Sequence, residues 1–272
     1  MASDRLHVNG HQYDLRISGQ GETLLLLHGF GGDKSVWEAL RAGLDSAYRV
    51  IAVDILGHGA SDKPLQVCAY HMSRVACDIV SLLDLLRIPD CHLLGYSMGG
   101  RLALCLAAGH PARFRSLILE SASPGLADAA ERELRRRQDE SLAERIEIKG
   151  IAWFVDYWER LPLWTSQRKM SKDVLSAQRQ QRLGNSATGL ANSLRGMGSG
   201  AQPNLWPYLE HATMPALLLV GEGDSKFVAI NQLMARQMPR ADLKVMPNAG
   251  HNIHLEQPLV FQGQVHSFLQ GL

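Results

Sequence analysis

Apolar residues along the chain follow two alternating rhythms. Unbroken runs of strand length, such as Thr23 to Leu27, Val50 to Val53 and Ala216 to Val220, fit strands buried on both faces of a parallel sheet. Between such runs the spacing turns helical, at Val36 to Leu44, Met98 to Ala108 and Ser73 to Leu86; in the last, Val75, Ile79, Leu82, Leu83 and Leu86 share one side. The start reads as a hairpin, Leu6 to Val8 and Tyr13 to Ile17 around an Asn9-Gly10 turn. Cys91 to Gly95, Ser116 to Glu120 and Leu243 to Met246 add strands, and helices follow near Ala229 to Met238 and Pro258 to Leu269. Strand alternating with helix predicts βαβ units and an α/β architecture, a mostly parallel, doubly wound sheet. From about Ala122 to Pro207 no strand pattern stands out, and arginine, glutamate and aromatic residues recur at helical spacing. The expected division is a core of residues 1–121 and 208–272 with an inserted helical cap, 122–207. A length of 272 residues suits one domain carrying such an insertion.

Composition narrows the function classes. A hydrophobic share of 46% with 20% charged residues is that of a globular protein with a large core. The net charge of +1 gives no reason to expect nucleic acid or a membrane surface as partner. The apolar runs are strand-sized, so no membrane span is expected, and the polar start Met1 to Arg5 leads straight into a strand pattern without a leader signature. Cys68, Cys77, Cys91 and Cys105 form no CxxC pair, which argues against a metal site; reduced thiols in a cytoplasmic protein are expected.

Gly95-Tyr96-Ser97-Met98-Gly99 fits G-x-S-x-G between an apolar strand and an apolar helix. Such a turn exposes the serine on strained backbone, needs small neighbours two residues away, and points a helix N-terminus at developing negative charge. Leu27-His28-Gly29-Phe30-Gly31-Gly32 closes an earlier strand, where the backbone N–H groups of Phe30 and Met98 are expected to form an oxyanion hole. His28 is expected to brace that loop. Asp224 follows the strand 216–220, and His251 follows the last strand, so the order is Ser97, Asp224, His251. An acid that orients a histidine, which in turn activates a serine, is the chemistry of a catalytic triad. With 11 histidines in the chain, one match alone carries little weight, but all three after the appropriate strands carry much. His254 is the rival base; Asp54 and Asp62, in a glycine-rich stretch, are read as turn residues that support the oxyanion loop.

These residues resemble the α/β-hydrolase superfamily over essentially the whole chain. More narrowly, Gly95 to Arg101, Ser121-Ala122-Ser123-Pro124-Gly125-Leu126, Gly189 to Gly200 and Asp224-Ser225-Lys226-Phe227 resemble the 2-succinyl-6-hydroxy-2,4-cyclohexadiene-1-carboxylate synthases of menaquinone biosynthesis. That resemblance implies an α/β-hydrolase fold and a lyase that eliminates pyruvate from an enolpyruvyl cyclohexene carboxylate bearing a succinyl arm, with no cofactor. A substrate with three carboxylates calls for several cations, preferably arginines with their bidentate geometry. Between Arg160 and Leu205 the chain supplies seven Lys or Arg against the single acid Asp173. By the resemblance, substrate-binding residues map to Tyr96, Arg101, Arg135, Trp158 and Arg182. Arg136 and Arg137 compete with Arg135, and Arg179 with Arg182. A solvated helix face is the plainer account of most cap arginines, with Glu131, Glu133, Asp139, Glu140 and Glu144 as helix-spaced partners, and Trp153 and Trp158 are equally natural as cap core.

Two other functions fit the same residues: a serine hydrolase acting on a carboxylate-bearing ester or a carbon–carbon bond, and a non-catalytic ligand receptor. The arginines favour the lyase over the hydrolase, since fold does not fix chemistry, and a receptor has no need of both His251 and Asp224. Oligomeric state is left open by the sequence; a monomer suits it.

Overall fold

The computed structural model describes residues 4–272; the polar start Met1-Ala2-Ser3 lies outside the described residues. Asn9 and Gly10 both take positive φ (48° and 93°), the conformation that lets two residues turn β1 (Asp4–Val8) into β2 (His11–Ser18). β3 (Glu22–Leu27), β4 (Tyr48–Val53), β5 (Cys91–Tyr96), β6 (Phe114–Glu120), β7 (Ala216–Gly221) and β8 (Ala241–Met246) complete an eight-stranded sheet. Its order is β1-β2-β4-β3-β5-β6-β7-β8, parallel throughout except where β2 pairs with β1 and β4.

β3 explains why the centre reads as unbroken leucine. Successive side chains point to opposite faces, so Leu25 and Leu27 enter one apolar layer while Leu24 and Leu26 enter the other. Helices α1 (Glu38–Leu44), α2 (Met72–Leu85) and α3 (Met98–Gly109) follow in turn. The first layer is filled by α2 and α3 through Val75, Ile79, Leu102 and Leu106. The second is filled by Trp37, by Leu40 and Leu44 of α1, and by Phe261, Val265 and Leu269 near the C-terminus.

Between β6 and β7 the described residues contain no strand. α4 (Ala129–Glu159) is broken at Gly150, which has φ 81° and ψ 176°; α5 (Lys172–Leu183) and α6 (Ala187–Met197) follow. Side-chain caps start each of them, Asp128 on Glu131 N–H, Ser171 on Val174 N–H and Ser186 on Gly189 N–H. α4 and α6 enclose a third apolar cluster around Leu142, Ile146, Phe154, Leu190 and Leu194. α6 lies so close to the sheet domain that a Cβ on Gly196 would stand 2.5 Å from the Tyr70 backbone. α7 (Ser225–Gln237), the short α8 (Ile253–Glu256) and α9 (Pro258–Gln270) complete the chain. The sequence pattern did not reveal α8; its four residues are too few to show a period, and its start is set by the Asn252 side chain accepting from Leu255 N–H.

Two alanine substitutions should therefore move stability in opposite directions. Gly196→Ala overpacks the α6 seam and is expected to cost about 1–3 kcal/mol or more. Gly263→Ala, exposed in mid-α9 with nothing within 4 Å of the added Cβ, should gain about 0.5–1 kcal/mol of helix propensity. Urea unfolding midpoints at constant slope check both signs.

Candidate active site

The turn between β5 and α3 carries Ser97 at φ 50°, ψ −107°, a positive φ at a non-glycine residue. Its neighbours two residues away cannot carry side chains. A Cβ on Gly95 would stand 2.6 Å from Gly100 Cα and N, and one on Gly99 would stand within 2.6 Å of the His28 carbonyl and closer still to Leu27. The turn is thus wedged against the end of β3, and Ser97 N–H is tied to Glu120 O of β6 at 2.8 Å.

Asp224 stands just beyond β7 and His251 beyond β8. Ser97 Oγ lies 3.0 Å from His251 Nε2, and His251 Nδ1 lies 2.6 Å from Asp224 Oδ2. His251 is 2% exposed, and its ring is enclosed by Phe227, Tyr96 and Trp164 at centroid distances of 4.7, 5.5 and 5.8 Å. His254 is bound to another partner: its backbone N–H donates to Glu120 Oε1 and its Nδ1 lies 2.6 Å from Glu120 Oε2, beside Tyr96 and Trp37. The rival base is held by a buried carboxylate of its own, and only His251 reaches Ser97.

The loop after β3 is braced from the core. Ile55 N–H donates to His28 Nε2 at 3.0 Å, which leaves the proton on Nδ1, and that proton goes to Gly29 O at 2.8 Å. Gly32 N–H reaches the same oxygen at 3.0 Å. Gly29 O and Phe30 N–H belong to one peptide unit, so both bonds fix the direction of the Phe30 amide and polarise it. Burial lowers the His28 pKa, which keeps the ring in this neutral form. Asp54 supports the loop from below by accepting from Lys34 N–H and Lys34 Nζ, both at 2.7 Å, and from Ala60 N–H. Asp62 accepts from Gln12 N–H. Asp54 thus supports the loop as expected, whereas the Asp62 carboxylate holds the start of β2 and not that loop.

A cavity of about 1080 Å³ opens above Ser97 and His251. Its wall includes Tyr96, Arg101, Arg135, Trp158 and Arg182, so the five residues placed by resemblance face one space. The competing arginines do not line it. Arg136 and Arg137 pair with Glu133 on the outside, and Arg179 is held between Asp156 and Glu159 at 2.6 Å each. Arg195 is taken by Glu140 and Glu147.

The lining arginines differ in how fully they are engaged. Arg182, nearly buried, has one long contact, 3.4 Å to Glu159, and lies 5.1 Å over the Trp164 ring. Arg135 pairs with Asp139 at 2.8 Å. Arg101 donates to the Met197 carbonyl at 2.6 Å and, among the described residues, meets no carboxylate within 4 Å. Burial and then the like charge of Arg135 push its pKa down to about 10. Trp158 packs edge-on against Phe30 at 5.4 Å while also lining the cavity, so it serves both as wall and as packing. The Tyr96 hydroxyl is buried and has no hydrogen-bond partner among the described residues. Lys226, not assigned a role from sequence, also lines the cavity; its signal was the Asp224-Ser225-Lys226-Phe227 motif. Among the described residues no cluster of His, Cys, Asp or Glu is arranged to hold a metal.

A depressed arginine pKa has a testable consequence. Anion affinity of this cavity should fall as pH rises through about 10, where Arg101 loses its charge, and Arg101→Met should remove that step. Calorimetric titration of a small tricarboxylate across that range checks it. By the same linkage, burial of the charged form weakens the fold at neutral pH, and this penalty shrinks above about pH 10.

Known proteins place the arrangement. The α/β hydrolase fold family model matches residues 22–258. A Bacillus subtilis (strain 168) protein carrying the provisional name 2-succinyl-6-hydroxy-2,4-cyclohexadiene-1-carboxylate synthase is 43% identical over 251 residues, 92% of this chain and 91% of that one. The 2-succinyl-6-hydroxy-2,4-cyclohexadiene-1-carboxylate synthase of Serratia proteamaculans (strain 568) is 32% identical over 259 residues, covering 93% of this chain and 97% of the relative. A solved structure of MenH from S. aureus superposes with a TM-score of 0.91 at 35% identity, over 95% of this chain and 98% of that one. With its eight-stranded, mostly parallel sheet, the chain belongs to the α/β-hydrolase family.

Proposed function

We propose that the chain is a carbon–oxygen lyase of menaquinone biosynthesis. It converts 2-succinyl-5-enolpyruvyl-6-hydroxy-3-cyclohexene-1-carboxylate into 2-succinyl-6-hydroxy-2,4-cyclohexadiene-1-carboxylate and pyruvate. The observation that carries this reading is the convergence of Arg101, Arg135 and Arg182, from three different helical segments, on the one cavity that contains Ser97 and His251. Three arginines match a substrate with three carboxylates, and the names of the relatives point to the same substrate.

In this mechanism Ser97, His251 and Asp224 form a triad. Asp224 holds His251 in the tautomer whose Nε2 accepts the Ser97 proton. Ser97 Oγ removes the ring proton at C2, alpha to the succinyl carbonyl. The electron pair forms C2=C3, the C3=C4 pair moves to C4=C5, and the C5–O bond breaks, releasing the pyruvate enolate, which takes a proton and becomes pyruvate. Negative charge that gathers on the succinyl carbonyl oxygen is met by the Phe30 and Met98 amides. Met98 is the first residue of α3, so its N–H has no acceptor within the helix. One such donor is worth roughly 3–4 kcal/mol. The step needs no covalent intermediate and no cofactor.

The helices between β6 and β7 act as a cap, 122–207, over a core of 1–121 and 208–272, and supply Arg135, Trp158 and Arg182. The substrate is a small polycarboxylate and the setting cytoplasmic, in keeping with four free cysteines. Among the described residues no helix is long and apolar enough to cross a membrane.

Pyruvate release, coupled to lactate dehydrogenase, should far exceed cleavage of simple aryl esters; faster ester cleavage would favour a serine hydrolase and contradict the lyase reading. Ser97→Ala and His251→Ala should each lower kcat by about 10³-fold or more. Arg101→Ala should act mainly on KM, and a Ser97→Ala chain of full activity would refute the triad.

A further inference from the structure

We infer that Asn185 is a positioning residue that transmits capture of a substrate carboxylate at Arg182 to the loop carrying the Phe30 amide. The inference rests on the proposed site and adds a link between its two halves.

The loop Gly29–Asp33 is gripped at two places. One is the Gly29 carbonyl, held by the core through His28 and Gly32. The other is the Gly31 carbonyl, held by side chains from and just beyond α5. Asn185 Nδ2 donates to Gly31 O at 2.9 Å, and Gln181 Nε2 donates to the same oxygen at 3.2 Å and to Asp33 Oδ2 at 3.0 Å. Phe30 lies between the two grips. Gly31 has φ +73°, so its own backbone has little preference about where that carbonyl points. The two amide donors therefore select the loop conformation.

Asn185 is buried and fully committed. Its Oδ1 accepts from Gly59 N–H at 3.4 Å, in the turn that Asp54 supports, and its Nδ2 also reaches Arg182 O at 3.3 Å. The Asn185 backbone N–H donates to Arg182 O as well, at 3.2 Å. Arg182 and Asn185 thus move as one short rigid unit at the end of α5. Among the described residues the Arg182 guanidinium meets one carboxylate, Glu159, at long range and the face of Trp164, which leaves N–H donors for a carboxylate in the cavity. A carboxylate that draws in Arg182 also fixes Asn185, and with it the Gly31 carbonyl, two peptide units along the same short loop from the Phe30 amide. Substrate lacking that carboxylate would find the same serine with a looser oxyanion loop. Binding energy far from the reacting carbon would thereby be used in the transition state.

Asn185→Asp is the discriminating variant, because it keeps size and the Oδ1 acceptor while turning an oxygen toward Gly31 O. With folding verified by circular dichroism and thermal melting, kcat for pyruvate release should fall about tenfold or more while KM stays within about threefold. Phosphonylation of Ser97 by a p-nitrophenyl phosphonate, which needs the serine and the oxyanion hole but not the substrate, should slow about tenfold as well. Gln181→Met, which removes the second donor from a less buried position, should lower both rates in the same sense and serves if Asn185→Asp does not fold. Rates within twofold of the parent in a folded variant, or a rise in KM alone, would overturn the inference. If the parent chain releases no pyruvate, the lyase reading fails; slowed phosphonylation in the variants would still uphold the grip of α5 on the loop, and unchanged phosphonylation would end both.

Discussion

The approach of the Gly95–Gly99 turn to the end of β3 is the constraint on which the rest of the site depends. Ser97 can hold a positive φ only because the surrounding backbone leaves it no other position, and that backbone can close in only because residues 95 and 99 have no Cβ. From this one contact follow the exposure of Oγ above the sheet, the placement of the α3 N-terminus beneath it, and the adjacency of the Phe30 loop. The parallel sheet supplies the remainder. β7 and β8 run alongside β6, so the loops after them deliver Asp224 and His251 to the same edge as Ser97.

Around that fixed centre the charges are arranged unequally. Four arginines between β6 and β7, Arg136, Arg137, Arg179 and Arg195, are neutralised by carboxylates away from the cavity. Of the three arginines that face the cavity, Arg135 pairs with Asp139, while Arg101 and Arg182 are not matched in this way. Among the described residues Arg101 meets a backbone carbonyl and no carboxylate, and Arg182 one distant carboxylate and an indole face. Leaving buried cations short of partners costs stability, and such a cost is kept where a ligand supplies the missing anions. The aromatic wall of Phe30, Trp158, Trp164 and Phe227 lowers the local dielectric and strengthens each contact a carboxylate makes there.

The sheet was legible in the sequence because strands buried on both faces become continuous apolar runs, and β3, β5 and β7 are all of that kind. The serine turn was legible because its steric demand writes two glycines at fixed offsets. Asp224 and His251 could be chosen from many acids and histidines because each directly follows a strand. Which arginines face inward was another matter. Arg135, Arg136 and Arg137 are consecutive, and one step of about 100° around a helix separates cavity from solvent. α4 offers no clean apolar stripe from which to read its orientation and is broken at Gly150. Arg179 and Arg182 lie on one side of α5 and are separated by contacts with residues about twenty positions away. The pairing of His254 with Glu120 spans 134 residues, and the amides of Gln181 and Asn185 belong to no motif; neither could be found without the fold.

If Ser97 works as a base and not as a nucleophile, the same geometry serves elimination without ever forming a bond between serine and substrate. Intact-protein mass spectrometry of samples quenched during turnover of the succinylated enolpyruvyl substrate tests this most directly. The chain should retain its unmodified mass of 30.0 kDa throughout the steady state. A substrate-derived adduct on Ser97 that forms and decays at the rate of turnover would contradict it.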